Sequence, residues 1–233
     1  MIYAISDIHG CFDKYIAMLK KIKFSDDDIL YVVGDVVDRG KHGIKILQNM
    51  SLRSNVYPIM GNHEYMALSI LKSLMVEITE ENYDNHIDEN ILEGLICWTQ
   101  FDGGQVTLDE FYKLSKDEQY AIIDYLEEFA PYEIAICNGK QYLLTHAGIP
   151  TGARIDRLSD YSIAEFVTAE TDYSKKYFNN IFVVTGHTPT FSIKESSRGK
   201  IYRNNNNIAI DCGASYDEKL GCFCLDTEEE FYV

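Results

Sequence analysis

Gly34-Asp35-Val36-Val37-Asp38-Arg39-Gly40 follows directly on the apolar run Ile29–Val33, and this junction decides the fold. A short apolar run that stops at Gly-Asp and passes into a segment carrying Ile44, Ile46 and Leu47 spells strand, polar loop, helix. The same order stands on both sides of it. Upstream, residues 1–8 end in Asp7-Ile8-His9-Gly10 and give way to Phe12, Tyr15, Ile16, Leu19 and Ile22 at helical spacing. Downstream, residues 56–60 lead into Gly61-Asn62-His63-Glu64 and a helical stretch over 65–76. Strands alternating with helices predict a layered α/β architecture whose ligand site is formed by polar residues at strand ends.

Beyond this block the pattern changes. Residues 77–131 are acidic and helix-favouring, with Leu108, Phe111, Ile122, Ile123, Leu126 and Phe129 on an apolar face, and predict a helical insertion within one domain spanning 1–233. The second half is richer in strands. Segments 133–137 and 141–145 flank Asn138-Gly139, a two-residue hairpin turn, and further strands are expected at 181–185, 201–203, 208–212, 221–225 and 230–233. The Asn204 to Asn207 run reads as a turn between two of them. No repeat of solenoid length occurs.

Composition narrows the classes of function. A chain of 233 residues, 46% hydrophobic and 25% charged, is that of an ordinary globular protein. A formal net charge of -16 without Lys/Arg clusters argues against a nucleic-acid partner, and a nuclease reading ranks low. The six cysteines repeat no paired zinc spacing, and Cys222 and Cys224 read as buried hydrophobes on one face of a strand. Met1 leads straight into an apolar run without a basic region, and no apolar stretch reaches membrane-spanning length, so a cytoplasmic location and no membrane partner are expected.

The chemistry lies at the strand ends. Residues two apart in an extended segment share a face, so Asp7 and His9 are expected to approach one cation together while Ile8 points into the core. The Asp35 carboxylate has two oxygens and can bridge two cations about 3.5–4 Å apart. Asn62 adds a neutral oxygen, and two later histidines follow strands, in Thr145-His146-Ala147-Gly148 and Gly186-His187-Thr188-Pro189. This set of oxygen and imidazole donors without thiolate suits Mn, Fe, Zn or Co, and affinity order alone does not choose among them; two divalent ions are expected, with Mn²⁺ taken first. His63 faces away from Asn62 and is free to act as general acid, with Asp38 orienting its imidazole and favouring the charged form. Arg39 presents a planar fork to phosphate oxygens. His42 and His86, in polar helical surroundings, read as surface residues.

The ordered series Asp-Ile-His-Gly, Gly-Asp-Val-Val-Asp-Arg-Gly, Gly-Asn-His-Glu, His-Ala-Gly and Gly-His-Thr-Pro resembles the calcineurin-like metallophosphoesterases, and more narrowly the bacterial and phage serine/threonine protein phosphatases. The match runs from Asp7 to His187. The resemblance implies a four-layer α/β/β/α sandwich, two mixed sheets flanked by helices, and attack by a metal-bridging hydroxide with no phosphoenzyme. It places Asp7, His9, Asp35, Asn62, His146 and His187 at metal-ligand positions, Arg39 and Asn62 at phosphate contacts, and His63 with Asp38 as the catalytic acid pair. Two departures stand out. Ser6 occupies a usual glycine position, and the second phosphate-gripping arginine of many relatives is missing around residues 163–171, with Arg154 and Arg157 outside any matching motif. Gly103-Gly104, followed by Thr107, resembles a glycine pair near the active site of bacterial relatives, or is a plain loop.

The expected activity is therefore hydrolysis of phosphate monoesters, with a phosphoprotein or small phosphate ester as substrate; the oligomeric state is left open. The alternative is a symmetrical diadenosine tetraphosphate hydrolase, a group that typically carries alanine at the Asp38 position and Asp at the Glu64 position. A catalytically silent metal-binding scaffold is the third reading, set against the intact donor set.

Overall fold

Strand and helix alternate from the start: β1 (Ile2–Ile5), α1 (Phe12–Lys21), β2 (Ile29–Val33), α2 (Gly43–Ser51), β3 (Val56–Ile59) and α3 (Asn62–Met75). The computed structural model describes residues 1–77, 79 and 89–233, and the expectation for His86 falls outside them. The helical insertion follows as α4 (Glu89–Ile96), a π-helical turn at Cys97–Phe101, α5 (Gln105–Phe111) and α6 (Lys116–Glu127). Ser115 sets the start of α6 through a capping box: its Oγ accepts the Glu118 N–H, and the Glu118 carboxylate accepts the Ser115 N–H at 2.8 Å. The second half gives β4 (Tyr132–Cys137), β5 (Lys140–Thr145), α7 (Ile163–Thr168), β6 (Ile181–Thr185), α8 (Thr190–Ile193), β7 (Tyr202–Asn204), β8 (Asn207–Ala209), β9 (Gly221–Cys224) and β10 (Glu230–Tyr232).

These strands form two five-stranded mixed sheets, ordered β10-β9-β1-β2-β3 and β4-β5-β6-β8-β7. Side-chain alternation makes the layers. In β1, Tyr3 and Ile5 face the cluster under the helices while Ala4 faces the other sheet; in β9, Cys222 and Cys224 face the helices and Phe223 the other sheet. Tyr142 and Leu144 of β5 and Val184 of β6 meet that inter-sheet core from the opposite side, while Leu143 and Val183 turn outward onto Phe166 of α7. Each sheet is thus buried on both faces, which accounts for the near-continuous apolar strands of the sequence. The order is helices, sheet, sheet, helices, the expected four-layer sandwich. No helix among the described residues is long and apolar enough to cross a membrane.

Most strand expectations stand within a residue or two. Asn204 and Asn207 belong to strands, and only Asn205 (φ 50°) and Asn206 (φ 64°) make the turn, as a two-residue hairpin with positive φ at both positions requires. The first strand stops at Ile5 rather than running to residue 8, because Asp7 turns the backbone left-handed at φ 51°. That turn begins the candidate site.

Candidate active site

β1, β2 and β3 run parallel in one sheet, and β5 and β6 run parallel in the other, so their C-terminal ends deliver five polar loops. The first two loops lie side by side: the N–H groups of Asp7, His9 and Gly10 donate to the carbonyls of Gly34, Asp35 and Val36 at 2.8–3.1 Å. The sheets meet where His146 Nδ1 bonds the Val33 carbonyl at 3.0 Å. Gly34 permits that approach, since a Cβ there would lie 2.4 Å from His146 Nδ1 and its φ is +74°.

Two groups of side chains converge. His9, Asp35 and His63 bring one ligand atom each within 4.8 Å of one another, and so do Asp35, His146 and His187. Asp35 is common to both groups, with Oδ2 3.5 Å from His9 Nε2 and Oδ1 3.3 Å from His146 Nε2. Asn62 Oδ1 sits 2.9 Å from His146 Nε2 and 2.9 Å from His187 Nδ1. The sequence expectation for Asp7 and His9 needs correction. The segment is not extended, both residues have positive φ (51° and 44°), and Asp7 lies outside both three-residue groups, its oxygens receiving the His187 N–H at 3.0–3.1 Å. Ile8 does point into the core.

His63 Nδ1 and Asp38 Oδ2 are 2.7 Å apart, which leaves Nε2 facing Asp35 at 3.8 Å and Arg39 at 3.1 Å. The other guanidinium nitrogen of Arg39 reaches His9 Nε2 at 2.9 Å, and the ring of Tyr216 lies 5.6 Å beneath its centre. Gly103 accepts the Arg39 N–H at 3.0 Å, so the glycine pair of the insertion does border the site. Arg154 and Arg157 do not reach it: both are exposed and bonded to Asp156 and Asp160. Ser6 is buried at φ outside the left-handed region.

The donor set fits divalent cations. The carboxylates of Asp7, Asp35, Asp38, Glu64 and Asp211 are at most 3% exposed, with Arg39 the guanidinium set against them, an arrangement that calls for added positive charge. Nδ1 of His9 meets the Val37 carbonyl at 2.9 Å and Nδ1 of His146 that of Val33, which fixes the tautomer and turns each Nε2 toward the centre. The motif series, the four layers and this donor cluster agree with the family model for calcineurin-like phosphoesterases, which matches residues 1–217. The chain belongs to the calcineurin-like phosphoesterase family.

Within that family it is 27% identical to a Bacillus subtilis protein named as an asymmetrical bis(5'-nucleosyl)-tetraphosphatase, over 94% of this chain and 88% of that one. It is 29% identical to a symmetrical bis(5'-nucleosyl)-tetraphosphatase of Buchnera aphidicola, over 77% of this chain but 57% of the relative. A solved structure titled as a putative diadenosine tetraphosphatase superposes with a TM-score of 0.67 at 17% identity, covering 100% of this chain and 92% of that one. A serine/threonine phosphatase from Saccharomyces cerevisiae gives 0.59 at 14% identity, over 100% and 79%. At these identities the structures speak for the fold.

Electrostatics in this phosphoesterase follow from burial. Burial opposes ionisation of Asp35, but the imidazoles of His146 and His63 outweigh it and hold the carboxyl well below its usual range. Burial and the Asp35 charge push Asp7 up; burial and Asp7 do the same to Asp211. Burial would also lower His146, yet Asp35 and Asp7 overcome it and raise the imidazole to about 10. Burial takes His9 down to about 3 and His187 to about 4, leaving their rings neutral. Burial works against a charged His63, but Asp35 and Asp38 raise it above its ordinary value.

Several contacts at the site were not assigned from sequence. Glu64 is a scaffold for the Asp35 loop, Trp98 and Thr107 bond Asp38, Asp211 is a buried carboxylate beside Asp7, and Tyr216 underlies Arg39. The sequence signals for them are Glu64 in the Gly-Asn-His-Glu motif, Thr107 just after Gly103-Gly104, and the lone tryptophan of an otherwise acidic insertion. His42, by contrast, is half-exposed as expected.

Proposed function

We propose that this chain is a metal-dependent hydrolase of dinucleoside polyphosphates, located in the cytoplasm, with diadenosine tetraphosphate as the representative substrate. The observation that carries the reading is the similarity to a named bis(5'-nucleosyl)-tetraphosphatase over 94% of the chain. Exposed Tyr216, lying against Arg39, offers an aromatic face beside the phosphate grip, suited to a nucleobase. The six free thiols accord with a reducing compartment.

In this reading Asp7, His9, Asp35, Asn62, His146 and His187 hold two divalent cations, Mn²⁺ foremost. Bound there, the cations would activate a water nucleophile and neutralise charge at phosphorus. Arg39 and Asn62 grip the phosphoryl oxygens, and the Arg39 guanidinium turns from the His9 and His63 rings to the substrate. His63, steadied by Asp38, gives its Nε2 proton to the leaving oxygen.

That acid pair favours a second activity on phosphomonoesters of alcohols, such as phosphoserine peptides. A nucleotide phosphate leaves without much help, whereas an alkoxide needs a proton, and general-acid catalysis then contributes about 10²–10⁴-fold. The test compares kcat/KM for diadenosine tetraphosphate and for a phosphoserine peptide, in the natural chain and in Asp38→Asn, all loaded with Mn²⁺. The dinucleotide is expected to be the better substrate and the peptide the more sensitive to Asp38→Asn. ATP plus AMP among the products marks asymmetrical cleavage, and two ADP marks symmetrical cleavage. A natural chain that prefers the peptide would overturn the dinucleotide reading.

A further inference from the structure

Asp38 is held by more than its histidine. Its Oδ2 takes two donors, His63 Nδ1 at 2.7 Å and the indole Nε1–H of Trp98 at 2.7 Å, while its Oδ1 takes the Thr107 hydroxyl at 2.6 Å. The Thr107 oxygen in turn accepts the Asp38 N–H at 2.9 Å, which secures a backbone held at φ +69°. All four residues are at most 1% exposed. Trp98 and Thr107 both come from the helical insertion.

The insertion is shaped to deliver this contact. Trp98 sits in the π-helical turn Cys97–Phe101, a local irregularity of the kind that re-aims side chains at functional sites. The Gly104 N–H bonds the Trp98 carbonyl at 2.8 Å, and a Cβ at Gly104 would lie 2.3 Å from the indole. A buried indole that served packing alone could satisfy its N–H with any nearby carbonyl. Here it converges on an oxygen that already holds His63.

We infer that Trp98 and Thr107 are positioning residues for the acid pair: they fix the rotation of the Asp38 carboxylate and so aim His63 Nε2 at the leaving oxygen. With three donors on two oxygens, the carboxylate has one orientation. Without the indole it can turn about its Cβ–Cγ bond, the His63 ring follows, and Nε2 drifts from the hydrogen-bond reach that proton transfer requires. The inference rests on the reading of His63 as general acid, and the experiment separates the two.

The measurement is kcat and KM across a series of aryl phosphates, from p-nitrophenyl phosphate to phenyl phosphate, on Mn²⁺-loaded protein. The natural chain is compared with Trp98→Phe, Thr107→Val and His63→Asn. His63→Asn is expected to give a steep dependence of kcat on leaving-group pKa. Trp98→Phe and Thr107→Val are expected to fall between it and the natural chain, losing about 10–100-fold in kcat on phenyl phosphate with KM unmoved. If Trp98→Phe and Thr107→Val keep the natural slope, or lose the same factor on every ester, the positioning role is refuted while the acid role stands. A natural slope in His63→Asn overturns both. Should Trp98→Phe fail to fold, Thr107→Val carries the kinetic test, and the single indole N–H resonance of the metal-free natural chain supplies another. That resonance is expected to exchange slowly with D2O and to shift in Asp38→Asn; fast exchange and no shift would remove the Trp98 contact.

Discussion

Replacing Glu64 by Gln perturbs the most densely bonded side chain at the site while leaving every candidate ligand in place. The Glu64 carboxylate lies beneath the Asp35 loop, fully buried, and receives four backbone N–H groups. Oε2 takes Asp35 at 2.8 Å and Gly61 at 3.2 Å, and Oε1 takes Val36 at 2.7 Å and Val37 at 3.0 Å. Burial and the Asp35 charge push its pKa up, but each oxygen meets two donors, and that geometry fits only the carboxylate. In Gln one oxygen survives, and the new NH₂ faces two N–H groups it cannot accept. Hydrogen bonds to a charged partner contribute about 1.5–3 kcal/mol each, and the neutral amide recovers part of this because it costs less to bury. A net loss of about 3 kcal/mol lowers Tm by about 6–12 °C in a chain of this length. Because Asp35 hangs from the same carboxylate, Mn²⁺ affinity is expected to fall about 10–100-fold. Glu64→Asp is expected to lose stability as well, since a side chain about 1.5 Å shorter cannot span both loops. Scanning calorimetry of metal-stripped protein and titration calorimetry with Mn²⁺ read the two effects. A Tm within 2 °C of the natural chain, with unchanged Mn²⁺ affinity, would refute the scaffold role of Glu64.

Asp35→Asn, which keeps the shape but weakens both candidate cation positions, is expected to abolish Mn²⁺-dependent hydrolysis of p-nitrophenyl phosphate and to weaken Mn²⁺ binding at least about 100-fold; activity within tenfold of the natural chain would contradict a shared ligand. Arg39→Lys keeps the charge and loses the fork. Loss of one charge-assisted bond, about 1.5–3 kcal/mol, corresponds to about 10–100-fold in kcat/KM, and an unchanged value would remove Arg39 from the phosphate grip. Metal-free protein is expected to lose stability as pH rises. His146, raised to about 10, contributes stability that is fully present below its unfolded pKa near 6.5 and is lost as pH climbs through 10. Asp7, raised by burial, acts in the same direction at lower pH. His9 near 3 and His187 near 4 act the other way: they stay neutral in the fold while their unfolded counterparts gain protons, so these two remove stability as pH falls below about 6.5, over the range where Asp7 and Asp211, raised by burial, add it. Calorimetry from pH 5 to 9 should show the Tm gap between Mn²⁺-loaded and metal-free protein widening above pH 7; a constant gap would count against proton-for-metal exchange at His146.

Why some of this was legible in the sequence and some not follows from how each feature is encoded. β2 and β6 match their expected bounds residue for residue because a doubly buried strand leaves an unbroken apolar run. The loop residues Asp35, Asn62, His146 and His187 were legible because each stands just past such a run, and parallel strands deliver their C-terminal ends to one edge. Helical periodicity in the insertion says which face is buried but not what a buried polar atom meets. Leu108 and Phe111 duly pack in the core, whereas the Trp98 contact depends on a π-helical turn that no apolar spacing encodes. Asp211 was absorbed into an expected strand over 208–212; in the structure β8 ends at Ala209, and burial then gives the carboxyl its character.

The mistaken picture of an extended Asp7–His9 segment exposes the deeper reason. Asp7, His9, Asp35, Asp38, Arg39 and His187 all have φ between 44° and 69°. Left-handed backbone costs an L-residue roughly 1–2 kcal/mol, although Asp and His tolerate it better than most. Such a cost persists only where the surroundings fix the backbone on several sides. Here they do: the 7–10 and 34–36 loops hydrogen-bond each other, Glu64 ties the Asp35 loop from below, and Thr107 with Gly103 hold Asp38 and Arg39 from the insertion. The strain is therefore met by bonds within the fold, and the same bonds order the loops that carry the donor side chains, which lowers the cost of ordering them on binding. The insertion, acidic and otherwise unremarkable in sequence, belongs to the site for the same reason: without it two of the six left-handed residues, Asp38 and Arg39, lose the bonds to Thr107 and Gly103 that hold them.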